Sequence, residues 1–124
     1  MIAGLGTDIA EVKRFRKWVE KPQMLERFFN EKELSTAKSI SALCQHYAVR
    51  FAAKEAFSKA LGTGITGFNL REVYITNNSE GAPLLNIEGA ALSIMKERYG
   101  ECKAFVSLSH EKEYALAFVI LEKV

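Results

Sequence analysis

The sequence is poor in the residues that mark several classes of protein. Its two cysteines, Cys44 and Cys102, lie far apart and match no metal-ligand spacing, so we expect reduced thiols in a cytoplasmic protein. There is no long uncharged apolar run and no apolar segment behind a basic N-terminus, so neither a membrane span nor a signal peptide is predicted. A net charge of +2 is too small to indicate nucleic-acid binding.

The composition is sufficient for one folded domain. Hydrophobic residues make up 48% of the 124 residues, which is enough to build a core. Helical patterns come first and strand patterns mostly follow, without an internal repeat or a linker. We therefore predict a single α+β domain over residues 1–124, in which a long central helix packs on a largely antiparallel sheet.

Short elements are predicted in the first third of the chain. The apolar stretch Ile2–Thr7 suits a buried strand, and Asp8, with Glu11 behind it, resembles the cap of a helix that ends near Pro22. Two further short helices are predicted over Met24–Phe29 and, from a second cap signature at Asn30 and Glu33, over Glu31–Lys38.

The longest helical pattern covers Gln45–Ile65. Ser39 or Ser41 is the expected N-terminal cap, and the glycines that begin at Gly62 are the expected stop. Aromatic residues and alanines recur at helical spacing along this stretch and would form its packed face.

The second half of the chain changes to strand periodicity. Alternation from Phe68 to Ile75 predicts a strand that ends in a turn over Asn77–Gly81. The remaining predicted elements are an edge strand over Pro83–Ile87, a helix over Gly89–Tyr99, and strands over Lys103–Ser109 and Tyr114–Leu121 joined by a loop at His110–Glu113.

The candidate chemistry centres on two carboxylates and one lysine. Glu55 lies in the long helix among small and apolar neighbours, and Lys59 follows one turn later on the same face. A carboxylate in this position is either buried and paired, with Lys59 as the obvious partner, or binds a cation. Asp8 follows a predicted strand. At this position its carboxylate can cap a helix, take part in a functional site, or do both, because it has two oxygens.

Three other features limit the functional classes. The glycine run Gly62–Gly67 follows a helix instead of opening one, so it does not fit a P-loop. With only His46 to accompany His110, a histidine metal cluster is not expected. Basic residues crowd one short segment, as is typical of a surface that attracts an acidic partner: Lys13, Arg14, Arg16, Lys17, Lys21 and Arg27.

Three motifs together resemble one protein family. GLGTDIAEVKRF near the N-terminus, RFAAKEAFSKALGTGI in the long helix and SLSHEKEYALAFVI near the C-terminus are similar to the stand-alone holo-(acyl-carrier-protein) synthases. These are the small 4′-phosphopantetheinyl transferases of bacterial fatty-acid synthesis. The resemblance implies their fold and transfer of the phosphopantetheine group from coenzyme A to a serine of apo acyl carrier protein. It also implies Mg²⁺ as cofactor and adenosine 3′,5′-bisphosphate as the second product.

The resemblance implies a role for each matched residue of the site. Asp8 and Glu55 match the metal-binding carboxylates, and Lys59 matches the motif lysine beside the pyrophosphate. His110 matches a histidine that approaches the coenzyme A phosphates. These roles suit the chemistry, because Mg²⁺ takes one or two carboxylates together with phosphate oxygens. Glu55 and a metal-bound water are both candidates for the acceptor of the serine proton.

The resemblance also implies two kinds of protein partner. Acyl carrier proteins are strongly acidic, and Arg14 and Arg27 match positions that bind them. Members of the family form homotrimers with active sites between neighbouring subunits, so His110 would serve an adjacent subunit's site. Without the resemblance, two other functions stay open: a Mg²⁺-dependent hydrolase of nucleotides or pyrophosphate, and a non-enzymatic basic docking module.

Overall fold

Five strands form two separate antiparallel sheets in the computed structural model, which describes residues 1–124. The strands are Ile2–Glu11 (β1), Val73–Asn77 (β2), Pro83–Ile87 (β3), Cys102–His110 (β4) and Tyr114–Lys123 (β5). The larger sheet has the order β1-β5-β4, and β2 pairs with β3 in the smaller one. Every pairing is antiparallel, which confirms the predicted sheet type.

Four α-helices and three 3-10 turns complete the domain. The helices are Arg16–Val19 (α1), Pro22–Phe28 (α2), Ile40–Leu61 (α3) and Gly89–Tyr99 (α4), and the 3-10 turns are Val12–Phe15, Glu31–Glu33 and Leu70–Glu72. No helix combines the length and the apolar character needed to cross a membrane. The α+β prediction, with one long helix against an antiparallel sheet, is confirmed.

Local signals set both ends of α3. The Ser39 hydroxyl oxygen accepts a hydrogen bond from the Ala42 amide at 3.2 Å, so Ser39 is the cap that the sequence offered as one of two choices. The helix stops at Gly62, whose φ of +85° is a left-handed conformation that favours glycine. The helix therefore begins after one of the two predicted caps and ends at the predicted glycine stop, and it is displaced towards the N-terminus from the stretch Gln45–Ile65.

The core lies between α3 and the larger sheet. Alternate residues of β5 face the helix with no exposed surface: Ala115, Ala117, Val119 and Leu121. Opposite them, α3 presents mainly alanines, which allow the helix to come close to the strands. An aromatic group at one end of this core, in which the Trp18 ring centroid lies 5.2 Å from that of Phe51 and 5.1 Å from that of Phe28, holds α1 and α2 against α3.

The predicted helix opening at Asp8 is wrong. Asp8 lies within β1, where its register partner is Ala117 of β5, and the strand continues to Glu11. The backbone groups of this segment bond to a strand from the far end of the chain, and this pairing overrides the local cap signal. A 3-10 turn and α1 follow, and the predicted break at Pro22 is the first residue of α2.

Two other elements are shorter than predicted. The cap at Asn30 and Glu33 forms as predicted but opens only the Glu31–Glu33 turn, not a helix to Lys38, because the Glu33 side chain is turned into the interior. The strand predicted from Phe68 begins only at Val73, since Asn69 and Glu72 form a second capping box around a 3-10 turn. His110 ends β4 and is not in the hairpin loop.

Candidate active site

The sheet and the long helix bring Asp8 and Lys59 together. Gly4 and Gly6 of β1 lie against the backbone of α3. Asp8 follows Gly6 by two residues, so it lies on the same face of the strand and also faces the helix. The Lys59 ammonium donates to Asp8 Oδ1 at 3.1 Å and to the Thr7 carbonyl at 3.0 Å. The Lys59 side chain is nevertheless 54% exposed and can reach a ligand.

Glu55 is half-buried beside this pair and lacks a partner of its own. Its carboxylate makes no salt bridge, so the ion pair with Lys59 considered from the sequence does not form; Lys59 pairs with Asp8 instead. Burial raises the pKa of Glu55, and the nearby Asp8 carboxylate raises it further, while Lys59 and Arg14 oppose the shift. Burial is thus the main reason why the charged form of Glu55 is disfavoured, and the two neighbouring cations offset it only in part.

Two carboxylates on opposed elements form a donor set suited to a divalent cation. The chain contains no group of three or more His, Cys, Asp or Glu side chains able to hold a metal ion. A pair of carboxylates without further protein ligands matches Mg²⁺, which keeps several waters and takes its remaining ligands from substrate phosphates. Such an ion would also offset the repulsion between the Asp8 and Glu55 carboxylates, which contributes to the raised pKa of Glu55. The donor chemistry of Asp8 and Glu55 thus fits the cation that the family resemblance implies.

A shallow cavity opens over Lys59. It has a volume of about 320 Å³ and is lined by Thr7, Asp8, Ile9, Lys59 and Leu116. A cationic side chain in an open depression, adjacent to two carboxylates, can bind a phosphate group and a metal ion at the same time. The cavity therefore exposes one cation and one carboxylate, Lys59 and Asp8, to any ligand that enters it.

His110 is not part of this cluster within one chain. It is the last residue of the edge strand β4 and aligns with Ala115, which aligns in turn with Ala10 of β1. At the usual strand spacing, two strand widths separate His110 from β1 by about 10 Å. The His110 side chain is exposed and makes no hydrogen bond or salt bridge. Its assigned role in phosphate binding stays a prediction.

The basic residues that follow β1 differ in whether an acid neutralises them. Lys13 lies 3.9 Å from Glu11, and Arg16 lies 3.3 Å from Glu20. Arg14 has no acidic partner within ion-pair distance, and its charge acts on Glu55, so it lies beside the site.

Arg27, at the end of α2, is also exposed and without an acidic partner; its guanidinium lies 5.4 Å from the centre of the Phe28 ring. The salt bridges thus distinguish two paired cations, Lys13 and Arg16, from the other four of the basic segment: Arg14, Lys17, Lys21 and Arg27. Arg14 and Arg27 are among the unpaired cations, and their role in binding a partner stays a prediction.

Sequence reasoning missed a buried ion pair next to the site. The Lys54 ammonium lies 2.6 Å from Glu33 Oε1 and also donates to the carbonyls of Leu70 and Val73. Burial lowers the pKa of Lys54, an effect that the charge of Glu33 opposes. A signal was present, since Lys54 is seven residues from both Tyr47 and Leu61 and shares their packed face of the helix.

The family model of the 4′-phosphopantetheinyl transferase superfamily matches residues 4–119. The chain belongs to this superfamily. As a phosphopantetheinyl transferase it has similar curated relatives along its whole length. A holo-(acyl-carrier-protein) synthase from Treponema denticola is 48% identical over 123 residues, which are 98% of this chain and 99% of the relative. One from Treponema pallidum is 43% identical over 122 residues, or 98% of this chain and 97% of the relative.

Solved structures show the same fold as this transferase. A holo-(acyl-carrier-protein) synthase from Bacillus anthracis, in complex with coenzyme A (3′,5′-ADP), is 36% identical with a TM-score of 0.82, covering 100% of this chain and 99% of that one. The holo-ACP synthase from Plasmodium yoelii has a TM-score of 0.86 at 29% identity, covering 100% and 97%. The predicted family, enzyme class and fold are confirmed.

Proposed function

We propose that this transferase moves the 4′-phosphopantetheine group of coenzyme A to a serine hydroxyl of apo acyl carrier protein. The observation that carries the proposal is the exposed Lys59 ammonium, held by Asp8 at 3.1 Å beside the unpartnered Glu55 carboxylate. This arrangement suits a metal-associated pyrophosphate, and coenzyme A contains one. The relatives named above are synthases of holo acyl carrier protein, and one of them binds coenzyme A.

The reaction makes and breaks one bond to phosphorus. The serine oxygen attacks the phosphorus next to the pantetheine, a new O–P bond forms, and the bond to the bridging oxygen breaks. Adenosine 3′,5′-bisphosphate leaves, and the serine proton passes to a base. Phosphoryl-type transfer depends mainly on positioning and on neutralising charge on the transferred and leaving groups, so the residues of the site act chiefly through their charges.

Each residue of the cluster has a part in this reaction. Asp8 orients the Lys59 ammonium, which binds the pyrophosphate and neutralises charge on the leaving group. Asp8 and Glu55 would hold Mg²⁺, which supplies further charge neutralisation when bound. Glu55 is also the proton acceptor that we favour, because it is the carboxylate of the cluster that makes no salt bridge.

Arg14 and Arg27 form the docking surface for the carrier protein. Arg14 lies beside the catalytic cluster and Arg27 on the adjoining α2, so an acidic carrier that contacts both would present its serine near Glu55. A positive surface next to the site also accelerates the encounter with an acidic partner. A nucleic acid is not the proposed partner, since the net charge of +2 is small.

The outer face of the larger sheet supports the proposed homotrimer. Leu5 and Ile9 of β1 are 63% and 62% exposed, and Phe105 and Phe118 on the neighbouring strands are 50% and 44% exposed. A contiguous apolar face of this kind is typical of a protein interface. Other copies of the chain would cover it and would bring His110 of one subunit to the site of another.

A cytoplasmic location also stays a prediction. Cys44 and Cys102 are free thiols, as expected of a protein in a reducing compartment.

The decisive experiment measures mass gain on the acceptor. Apo acyl carrier protein incubated with coenzyme A and Mg²⁺ should gain the mass of phosphopantetheine, in equal amount to the adenosine bisphosphate released. Glu55→Gln should slow this by about 100-fold or more. Glu97→Gln, at an exposed acid of α4 outside the site, is the matched control and should react normally. Release of adenosine bisphosphate without a carrier protein would instead identify a hydrolase.

A further inference from the structure

The backbones of β1 and α3 touch directly at Gly6. A Cβ atom added to Gly6 would lie 1.9 Å from the Ala56 carbonyl oxygen and 2.7 Å from the Ala60 amide nitrogen. Both obstructing atoms belong to the helix backbone, so neither can rotate away as a side chain would. At this crossing only glycine allows the present separation of strand and helix.

The contact lies between the residues of the catalytic cluster. Gly6 precedes Asp8 by two residues on the same face of β1. On the helix side, Ala56 directly follows Glu55, and Ala60 directly follows Lys59. The separation of the two backbones at Gly6 is therefore closely coupled to the separation of Asp8 from Glu55 and Lys59.

The displacement that a methyl group at position 6 would require is large compared with the distances between the side chains of the site. Moving the Ala56 oxygen from 1.9 Å to an ordinary contact of 3.4 Å takes a shift of about 1.5 Å, roughly one carbon–carbon bond. The Asp8–Lys59 bond is 3.1 Å long, so such a shift would take it beyond hydrogen-bond range. A divalent cation shared by Asp8 and Glu55 would lose one ligand in the same way.

We propose that Gly6 is a positioning residue that sets the distance between the Asp8 carboxylate and the Glu55–Lys59 face of α3. The inference rests on the proposed function, since it concerns the two carboxylates assigned there to Mg²⁺. It adds a role for the strand backbone: the site binds the cation tightly only while β1 and α3 are in contact. A longer acid at position 8 would then compensate for a wider gap.

The test measures cation affinity instead of turnover. Isothermal titration calorimetry with Mg²⁺ and coenzyme A is applied to the wild type, Gly6→Ala, Asp8→Glu and the double variant Gly6→Ala/Asp8→Glu. We expect Gly6→Ala to weaken Mg²⁺ binding about tenfold or more, the range seen when the supports of metal ligands are removed. The double variant should recover most of this loss, because glutamate is longer by one methylene group.

Gly4→Ala is the matched control for the cost in stability. Its Cβ would meet the Ala60 carbonyl oxygen at 2.0 Å, a clash of the same kind, but four residues from Asp8. Its thermal unfolding midpoint should fall as much as that of Gly6→Ala, with a smaller loss of Mg²⁺ affinity. Equal losses of affinity in both glycine variants, or a double variant no better than Gly6→Ala, would overturn the proposal.

Two single variants of Asp8 complete the test. If Gly6→Ala fails to fold, Asp8→Glu alone still tests the positioning role, since this variant retains Gly6. It should bind Mg²⁺ more weakly than the wild type. Equal Mg²⁺ binding would contradict a fixed distance between β1 and α3. Asp8→Asn separates the inference from the proposed function. Unchanged Mg²⁺ binding and transfer in Asp8→Asn would remove the metal assignment itself, whereas a loss there together with normal binding by Gly6→Ala would remove only the positioning role.

Discussion

Replacing Lys54 by methionine should destabilise the protein far more than the same change at the exposed Lys59. The Lys54 side chain is 1% exposed and its partner Glu33 is 0% exposed, so both charges are withdrawn from water. Lys54→Met removes the only cation paired with the Glu33 carboxylate, and the Leu70 and Val73 carbonyls each lose the ammonium as a donor, although Leu70 still accepts from the Val73 amide. Glu33 keeps two amide donors, those of Asn30 and Ile75.

The expected magnitude follows from that geometry. Breaking a buried ion pair by removing one partner costs about 3–5 kcal/mol. Native domains are stable by only about 5–15 kcal/mol, so most of the stability would be lost. For a chain of 124 residues, 1 kcal/mol corresponds to about 4 °C, and the unfolding midpoint should fall by about 12–20 °C.

Urea unfolding followed by the fluorescence of Trp18 measures the loss. Lys59→Met is the matched control on the same helix; because the Lys59 side chain is 54% exposed, this variant should lose less than about 1 kcal/mol of stability, and it should also lose transfer activity. Adding Glu33→Gln to Lys54→Met should restore part of the stability, because the isolated buried charge is gone. A loss below about 1 kcal/mol for Lys54→Met, or no recovery in the double variant, would refute this account.

Three further predictions concern docking, assembly and pH. Arg14→Glu should raise the KM for carrier protein about tenfold, which corresponds to a loss of about 1.4 kcal/mol in binding free energy, and should change the KM for coenzyme A little. Arg16 is already paired with Glu20, so Arg16→Glu should have a smaller effect. Equal changes in the KM of both substrates for Arg14→Glu would refute docking at Arg14. Phe118→Asp should yield monomers in light scattering and lose activity, because it places a charge in the apolar outer face; a fully active monomer would exclude shared sites. Burial lowers the pKa of His46, so the unfolded chain binds a proton at higher pH than the folded protein, and stability should decline as the pH falls below about 6.5. His46→Gln should make this decline less steep. If urea unfolding at several pH values gives the same pH dependence of the unfolding free energy for both proteins, the prediction is contradicted.

Elements with strong local signals were predictable from the sequence. The strand Pro83–Ile87 and the helix Gly89–Tyr99 have the predicted bounds, because proline and the flanking glycines act on their own backbone neighbours. The end of α3 at Gly62 also has a local cause, since a left-handed residue interrupts the helix wherever it is placed. Motif similarity, which needs only residue identities in order, supplied the enzyme class.

Elements that depend on distant partners were not predictable. Asp8 met the local criteria for a helix cap, yet its backbone pairs with Ala117 at the opposite end of the chain. Lys59 had Glu55 as its nearest acid along the helix, but the sheet brings Asp8 to it. The Glu33 side chain turned inward because Lys54 and the Ile75 amide are there to receive it, and neither is near Glu33 in sequence.

The amino-acid sequence by itself determined the fold class, which follows from composition and periodicity, and the family, which follows from motif order; the roles of the site residues are what that resemblance implies. Only the tertiary structure decided which charges neutralise one another. It paired Lys59 with Asp8, left Glu55 without a partner and buried Lys54 on Glu33. The physical reason is that charge interactions depend on distance and burial, and both arise when β1 closes on α3 through Gly6.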